Sequence, residues 1–178
     1  MKKSFLILWA AICLMACTQN TYNISGELSG SSRDSSYVYL TERVNREWIN
    51  LDSALIVGGK FELKGDVDSV KVAYLRLQPK SGEESSDAFP FILEPGNITA
   101  HADSAEVFVI TGTEQNNVLN KYTIEINALR AKSDDLYTRS GAGTGPLTAD
   151  KKDSLDAGLK VYADEMKNIE KEYALQNV

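Results

Sequence analysis

Hydrophobic positions recur with two different periods along this chain, and the change falls near Thr111. From Tyr22 to Thr111 short apolar or alternating runs are broken by turn signals about every ten residues, a spacing that predicts an antiparallel sandwich or barrel. Tyr22, Ile24, Gly26 and Leu28 alternate with polar residues, and Ser29-Gly30-Ser31-Ser32 separates them from Tyr37-Val38-Tyr39-Leu40. Strict alternation in the next run places Ile49, Leu51, Ser53 and Leu55 on one side of a strand and Trp48 on the other. The glycines of Val57-Gly58-Gly59-Lys60 accept positive φ without steric cost, which favours a tight hairpin before Phe61 and Leu63. Val70 to Leu77 and Phe89 to Leu93 are apolar on both faces, as expected of strands covered on both sides. Glu94-Pro95-Gly96-Asn97 suits a type II turn, and Ile98 to Ala102 and Val107 to Ile110 bring the count to about eight strands.

After Thr111 the period lengthens to about three and a half residues. Val118, Tyr122, Ile126, Leu129 and Leu136 line one helix face, with Thr113 placed as a cap. Leu155, Leu159, Tyr162, Met166, Ile169 and Tyr173 form a second stripe, in which Leu159 is expected to pack more deeply than Leu155 near a frayed end. Ser140-Gly141-Ala142-Gly143-Thr144-Gly145-Pro146 cannot continue a helix, so the two fold back on each other. The expected fold is mainly β: an antiparallel β-sandwich of about eight strands followed by a C-terminal α-helical hairpin.

The beginning of the chain follows neither period. Lys2 and Lys3 precede an apolar run from Phe5 to Met15 that reaches only about 16 Å as a helix, against a hydrocarbon core of about 30 Å. That is the layout of an export signal rather than of a permanent span. Leu14-Met15-Ala16-Cys17 resembles the lipobox of bacterial lipoproteins, which implies that Cys17 becomes the first mature residue and is acylated. The expected division is a signal peptide at 1–16, an anchor and short linker at 17–21, a sandwich at 22–112 and a helical hairpin at 113–178. Removing residues 1–16 takes two lysines and leaves 162 residues with 17 basic against 25 acidic side chains, a net charge of -8. Nucleic acid is a poor partner for such a chain, because phosphate neutralisation needs clustered Lys and Arg. Cys13 and Cys17 are the only cysteines, so the expected mature chain carries no free thiol and no disulfide.

Tyr22-Asn23-Ile24-Ser25-Gly26, Leu51-Asp52-Ser53-Ala54 with Gly59-Lys60-Phe61, Phe91-Ile92-Leu93-Glu94-Pro95-Gly96 and Thr111-Gly112-Thr113-Glu114-Gln115-Asn116 occur in an order that resembles one family. It is domain of unknown function 4369, the N-terminal module of thioredoxin-like lipoproteins of Gram-negative bacteria. The resemblance implies an anchored sandwich, a helical connector and a following thioredoxin-like domain with a Cys-x-x-Cys pair. No Cys-x-x-Cys occurs in this chain, so the relatives' thiol chemistry has no residues to carry it here.

The remaining chemistry-bearing residues read mostly as surface. His101, the single histidine, alternates with inward-facing Ile98, Ala100 and Ala102 and is expected to face solvent. One His without a thiol cannot supply a structural zinc site, so no metal and no cofactor are expected. Asp66 with Asp68, Glu83 with Glu84, and Asp134 with Asp135 sit in turns, loops or a helix end as solvated charge. Gly141-Ala142-Gly143-Thr144-Gly145 joins two helices and lacks the strand and the Lys-Ser/Thr of a phosphate loop. Tyr37, Tyr39 and Trp48 are the candidate ligand contacts, a stacking platform on one sandwich face. The expected function is a non-catalytic, lipid-anchored envelope module that positions or docks an envelope protein or a glycan. A glycan- or peptide-binding lipoprotein and a fragment of a thiol-disulfide oxidoreductase are the alternatives. Thr18 after Cys17 resembles an outer-membrane sorting signal, facing the periplasm.

Overall fold

The computed structural model describes residues 20–30, 33–82 and 87–176. The expected signal peptide, the anchor Cys17 and the pair Glu83 and Glu84 lie outside the described residues. Eight strands come first: β1 (Thr21–Leu28), β2 (Tyr37–Val44), β3 (Glu47–Leu55), β4 (Lys60–Asp66), β5 (Lys71–Leu77), β6 (Ala88–Leu93), β7 (Gly96–Ala102) and β8 (Phe108–Thr111). Helices α1 (Glu114–Ser140) and α2 (Ala149–Gln176) follow. The strands form two four-stranded sheets, in the orders β4-β1-β7-β8 and β3-β2-β5-β6. The chain divides into two compact units between Phe108 and Val109.

Period-two alternation builds the sandwich core. Ile24, Leu28, Leu63, Ile98, Ala100 and Ala102 from the first sheet are buried, as are Val38, Leu40, Ala73, Leu75, Leu77, Phe91 and Leu93 from the second. Phe108 makes edge-on contacts with Phe61 at 5.9 Å and with Phe89, across the sheets, at 5.3 Å. Gly26 lies opposite Phe61, and the ring occupies the space a Cβ at 26 would need.

Three features depart from plain alternation. β1 runs parallel to β7, Ile24 opposite Ile98, because the turn at Glu94 and Pro95 returns the chain to the first sheet at the end where β1 begins. β5 is covered on one face only: Val70 and Val72 are 60% and 52% exposed while Ala73, Leu75 and Leu77 are buried, so the unbroken apolar run does not mark a strand enclosed on both sides. In β3 the register against β2 shifts between Leu40 and Thr41, from Leu40 opposite Asp52 to Thr41 opposite Asn50, which leaves Leu51 as a bulge residue. The bulge splits the expected stripe. Ser53 and Leu55 share a face with Trp48, and Ile49 lies on the other. A two-residue turn at Asn45 and Arg46, both at positive φ (52° and 72°), joins β2 to β3 in the left-handed sense that suits strand twist.

A charged staple closes one end of the sandwich. Arg33, 9% exposed, donates from Nε and Nη2 to both carboxylate oxygens of Glu106 at 2.9 and 2.6 Å, and from Nη1 to the Gln78 carbonyl at 2.7 Å. Lys80 adds a contact to Glu106 at 3.2 Å. Loops β1–β2, β5–β6 and β7–β8 are thereby held together.

The helical unit is an antiparallel hairpin. Tyr122 meets Tyr173 edge-on at 5.3 Å, Tyr173 donates to Glu125 at 3.0 Å, and Leu136 fills the space beside Gly158 fifteen residues earlier in α2. Burial and the Glu125 and Glu172 carboxylates raise the Tyr173 phenol above its ordinary pKa. Thr113 begins α1 through its carbonyl, which accepts from the Asn117 N–H at 2.9 Å, while its hydroxyl accepts from Asn116 Nδ2 at 2.7 Å. Gly141 ends the helix at φ 79°, donating to the Thr138 carbonyl. The α2 stripe faces inward as expected, but the order within it differs: Leu155 is buried and Leu159 half-buried. Leu155 lies beside the connecting loop, where the two helices are tied covalently, so that end does not fray.

Two measurements follow from these contacts. Glu106→Gln should destabilise the sandwich by about 3 kcal/mol in urea titrations, as loss of one partner of a buried pair does. Glu62→Gln, which breaks the exposed pair with Lys64, should cost under about 1 kcal/mol. Leu155→Ala should cost about 2–5 kcal/mol in helical circular dichroism melts and exceed the loss from Leu159→Ala.

Candidate functional site

The outer face of the second sheet is set by its register. Leu55 lies opposite Tyr37, Ser53 opposite Tyr39, Asn50 opposite Thr41 and Trp48 opposite Arg43 on the β2–β3 side. Arg76 lies opposite Tyr39 and Tyr74 opposite Thr41 on the β5 side, with Ala88, Pro90 and Ile92 completing the rows on β6. Tyr37 and Tyr39, one pleat apart, stack with ring centroids 6.3 Å apart and planes at 25°. The Trp48 indole stands edge-on to Tyr74 at 5.0 Å and carries the Arg76 guanidinium 4.6 Å from its centroid. Since Tyr74 and Arg76 belong to β5, the indole reaches across β2 at Thr41. That crossing accounts for the complete burial of Thr41, whose hydroxyl turns back to the Tyr74 carbonyl.

Arg43 lies 5.3 Å from the same indole, so one aromatic ring organises two guanidinium groups. Neither makes an ion pair among the described residues, and Arg76 Nε is enclosed without a hydrogen-bond partner there. Tyr37, Trp48, Leu55 and Val72 are all more than a third exposed. The outer face of an antiparallel sheet is ordinarily polar. Here it is aromatic, aliphatic and cationic.

The other candidates do not join this surface. His101 is exposed on β7 opposite Glu27. Asp66 and Asp68 line a cleft of about 300 Å³ at the end of the sandwich, together with Tyr22, Leu51, Lys71 and Leu93. Burial, then the Asp52 and Asp66 carboxylates, raise the Tyr22 phenol above its usual pKa. Lys71 in that cleft is paired with Glu42 at 2.8 Å. Asp135 pairs with Arg139 one helical turn on, and Gly141 serves as the helix cap. Among the described residues no group of three metal-type side chains converges, and no helix is long and apolar enough to cross a membrane.

The family model of Domain of unknown function (DUF4369) matches residues 22–119. The chain belongs to this family. No curated protein matches it. The matched region takes in β1 from Tyr22 on, the other seven strands and the first turns of α1, so every residue of the aromatic face lies within the DUF4369 region.

Sequence patterning finds Tyr37, Tyr39 and Trp48 but misses Arg43, Tyr74 and Arg76. Alternation alone sets Tyr74 and Arg76 on one face of β5 together with Val72. Their meeting with Trp48 requires knowing that β5 pairs with β2 and that β3 carries a bulge. In a Trp9→Phe background, where Trp48 is the single indole, Arg76→Ala should red-shift the emission and increase quenching by acrylamide. Lys64→Ala, on the other sheet, should change neither.

Proposed function

We propose that the DUF4369 chain is a non-catalytic, lipid-anchored module of the cell envelope that docks a partner through the outer face of β3-β2-β5-β6. The observation that carries this reading is the exposed set of Tyr37, Trp48, Leu55 and Val72, with half-buried Tyr39 stacked on Tyr37, around two guanidinium groups without carboxylate partners among the described residues. Large apolar surfaces with cations at their centre mark interaction sites. Arg43 and Arg76 call for acidic groups on the partner.

The face, rather than the free edge of β3, is the docking element. The bulge at Leu51 interrupts that edge, and the Asp52 carboxylate takes the Ser53 N–H at 2.7 Å, two devices that discourage addition of a strand. His101 and the Asp66–Asp68 turn sit on other parts of the sandwich. The near-parallel Tyr37 and Tyr39 rings also favour a second reading in which the partner is a glycan, since flat aromatic pairs accept the apolar faces of sugar rings.

Photo-cross-linking in intact cells tests the docking face. A benzophenone amino acid at position 37 should give a discrete adduct, and the same group at position 62, exposed on the other sheet, should not. Equal patterns from both positions would contradict the proposal. Cys17→Ser should move the protein from the membrane pellet to the soluble fraction, and a mutant that still pellets after a high-salt wash would contradict the anchor.

A further inference from the structure

The end of the sandwich at which β1 begins is crowded with exposed apolar residues. Val44, Trp48, Ile49 and Leu51 on the β2–β3 hairpin are 40%, 37%, 43% and 38% exposed, and Val70 on the neighbouring turn is 60% exposed. Pairing brings them to one end. Thr21 lies opposite Asp66 at the close of β4, the Val67 N–H donates to the Asn20 carbonyl, and Lys71 at the head of β5 reaches Glu42 beside the hairpin. Leu51 and Lys71 share the cleft with Tyr22.

Covalent geometry limits how far this end can stand from an anchor at Cys17. Three residues separate Cys17 from Thr21, and four Cα steps span at most about 14 Å. An acyl chain on Cys17 leaves the hydrocarbon at its boundary, beyond which the headgroup layer is about 5–8 Å deep. Thr21 therefore cannot rise more than roughly one headgroup layer above the lipid surface.

We infer that the β2–β3 hairpin and the turn before β5 rest in the bilayer interface, an inference built on the lipid-anchor reading above. Val44, Ile49 and Val70 enter the headgroup boundary, where Trp48 takes the position aromatic side chains favour. Arg46, in the turn at the tip of the hairpin, faces the lipid phosphates, and Arg43 stays against the Trp48 indole on the outer face. The charge at this end is divided: Asp66 and Asp68 lie on the β4 side, Asp52 acts on Tyr22 beside the cleft, Glu94 sits on the turn between β6 and β7, Glu42 is held by Lys71, and Glu47 is the one acid at the tip of the hairpin. The hairpin, not the Asp66–Asp68 turn, is thus the side that an anionic lipid surface accepts. β2 then runs away from the membrane, and Tyr37 stands about 23 Å beyond Val44, presented to the periplasmic space.

Trp48, the single indole once residues 1–16 are removed, reports on this directly. The acylated protein is reconstituted into phosphatidylethanolamine–phosphatidylglycerol vesicles, with or without lipids brominated near the glycerol end of the acyl chains, and floated on a density gradient. The protein should float, and its emission should fall by about half in brominated vesicles, since interfacial side chains lie roughly 5–10 Å into the boundary. Ile49→Asp with Val70→Asp should float equally and lose the quenching, with unchanged circular dichroism. Flotation with identical emission in both vesicle types, or full quenching retained by the double variant, would overturn the inference while leaving the anchor intact. Failure to float would overturn the anchor as well.

Discussion

Leu51 has no counterpart on β2, and that one surplus residue changes the side of the sheet on which the first half of β3 places its side chains. Without it Trp48 would fall opposite Val44 and turn toward the sandwich interior. With it Trp48 falls opposite Arg43, crosses Thr41 and meets Tyr74 and Arg76. Burial of the indole face against a guanidinium contributes on the order of 0.5–2 kcal/mol, enough to hold the arginines in place but small beside the core. The contact therefore organises a surface rather than a fold. Its components stay exposed because no other element among the described residues covers them in the sandwich unit.

The scaffold beneath that surface is stabilised by other means. Two apolar inner faces meet, and the Arg33–Glu106 pair with its Gln78 contact draws three loops to one end. That end is opposite the β2–β3 hairpin, so the sandwich has a charged staple at one pole and exposed apolar residues, with the Lys71–Glu42 pair, at the other. The helical hairpin solves a separate problem: each helix offers one apolar stripe, Tyr122 meets Tyr173, which donates to Glu125, and Leu136 packs beside Gly158, with Ile126, Leu129 and Leu155 buried along the same hairpin.

Local pattern made much of this legible. Ile24, Val38, Leu63, Ala100 and Phe108 are buried where alternation places them, His101 is exposed, and the α2 stripe faces inward. What escaped was non-local. The parallel pairing of β1 with β7 depends on which end the chain enters, the exposed face of β5 on what covers it, and the order of Leu155 and Leu159 on a covalent tie at the loop. The bulge escaped for the same reason: Leu51 looks like any alternating strand residue until its partner strand is known. Arg43 and Arg76 read as ordinary surface charge for want of that register, and the family likeness across residues 22–119 marks the region without marking the face.

The central claim is that the Trp48 indole lies across β2 on the outer face and brings Arg43, Arg76 and Tyr74 into one surface. Nuclear magnetic resonance of methyl-labelled protein tests it most directly through the Thr41 methyl group. Nuclear Overhauser contacts from that methyl to the Trp48 indole, with a marked upfield ring-current shift that Trp48→Ala abolishes, are the predicted result. A Thr41 methyl at an ordinary shift, with indole contacts instead to the inward-facing Val44 or Glu42, would show that β3 alternates without a bulge and that the face does not exist.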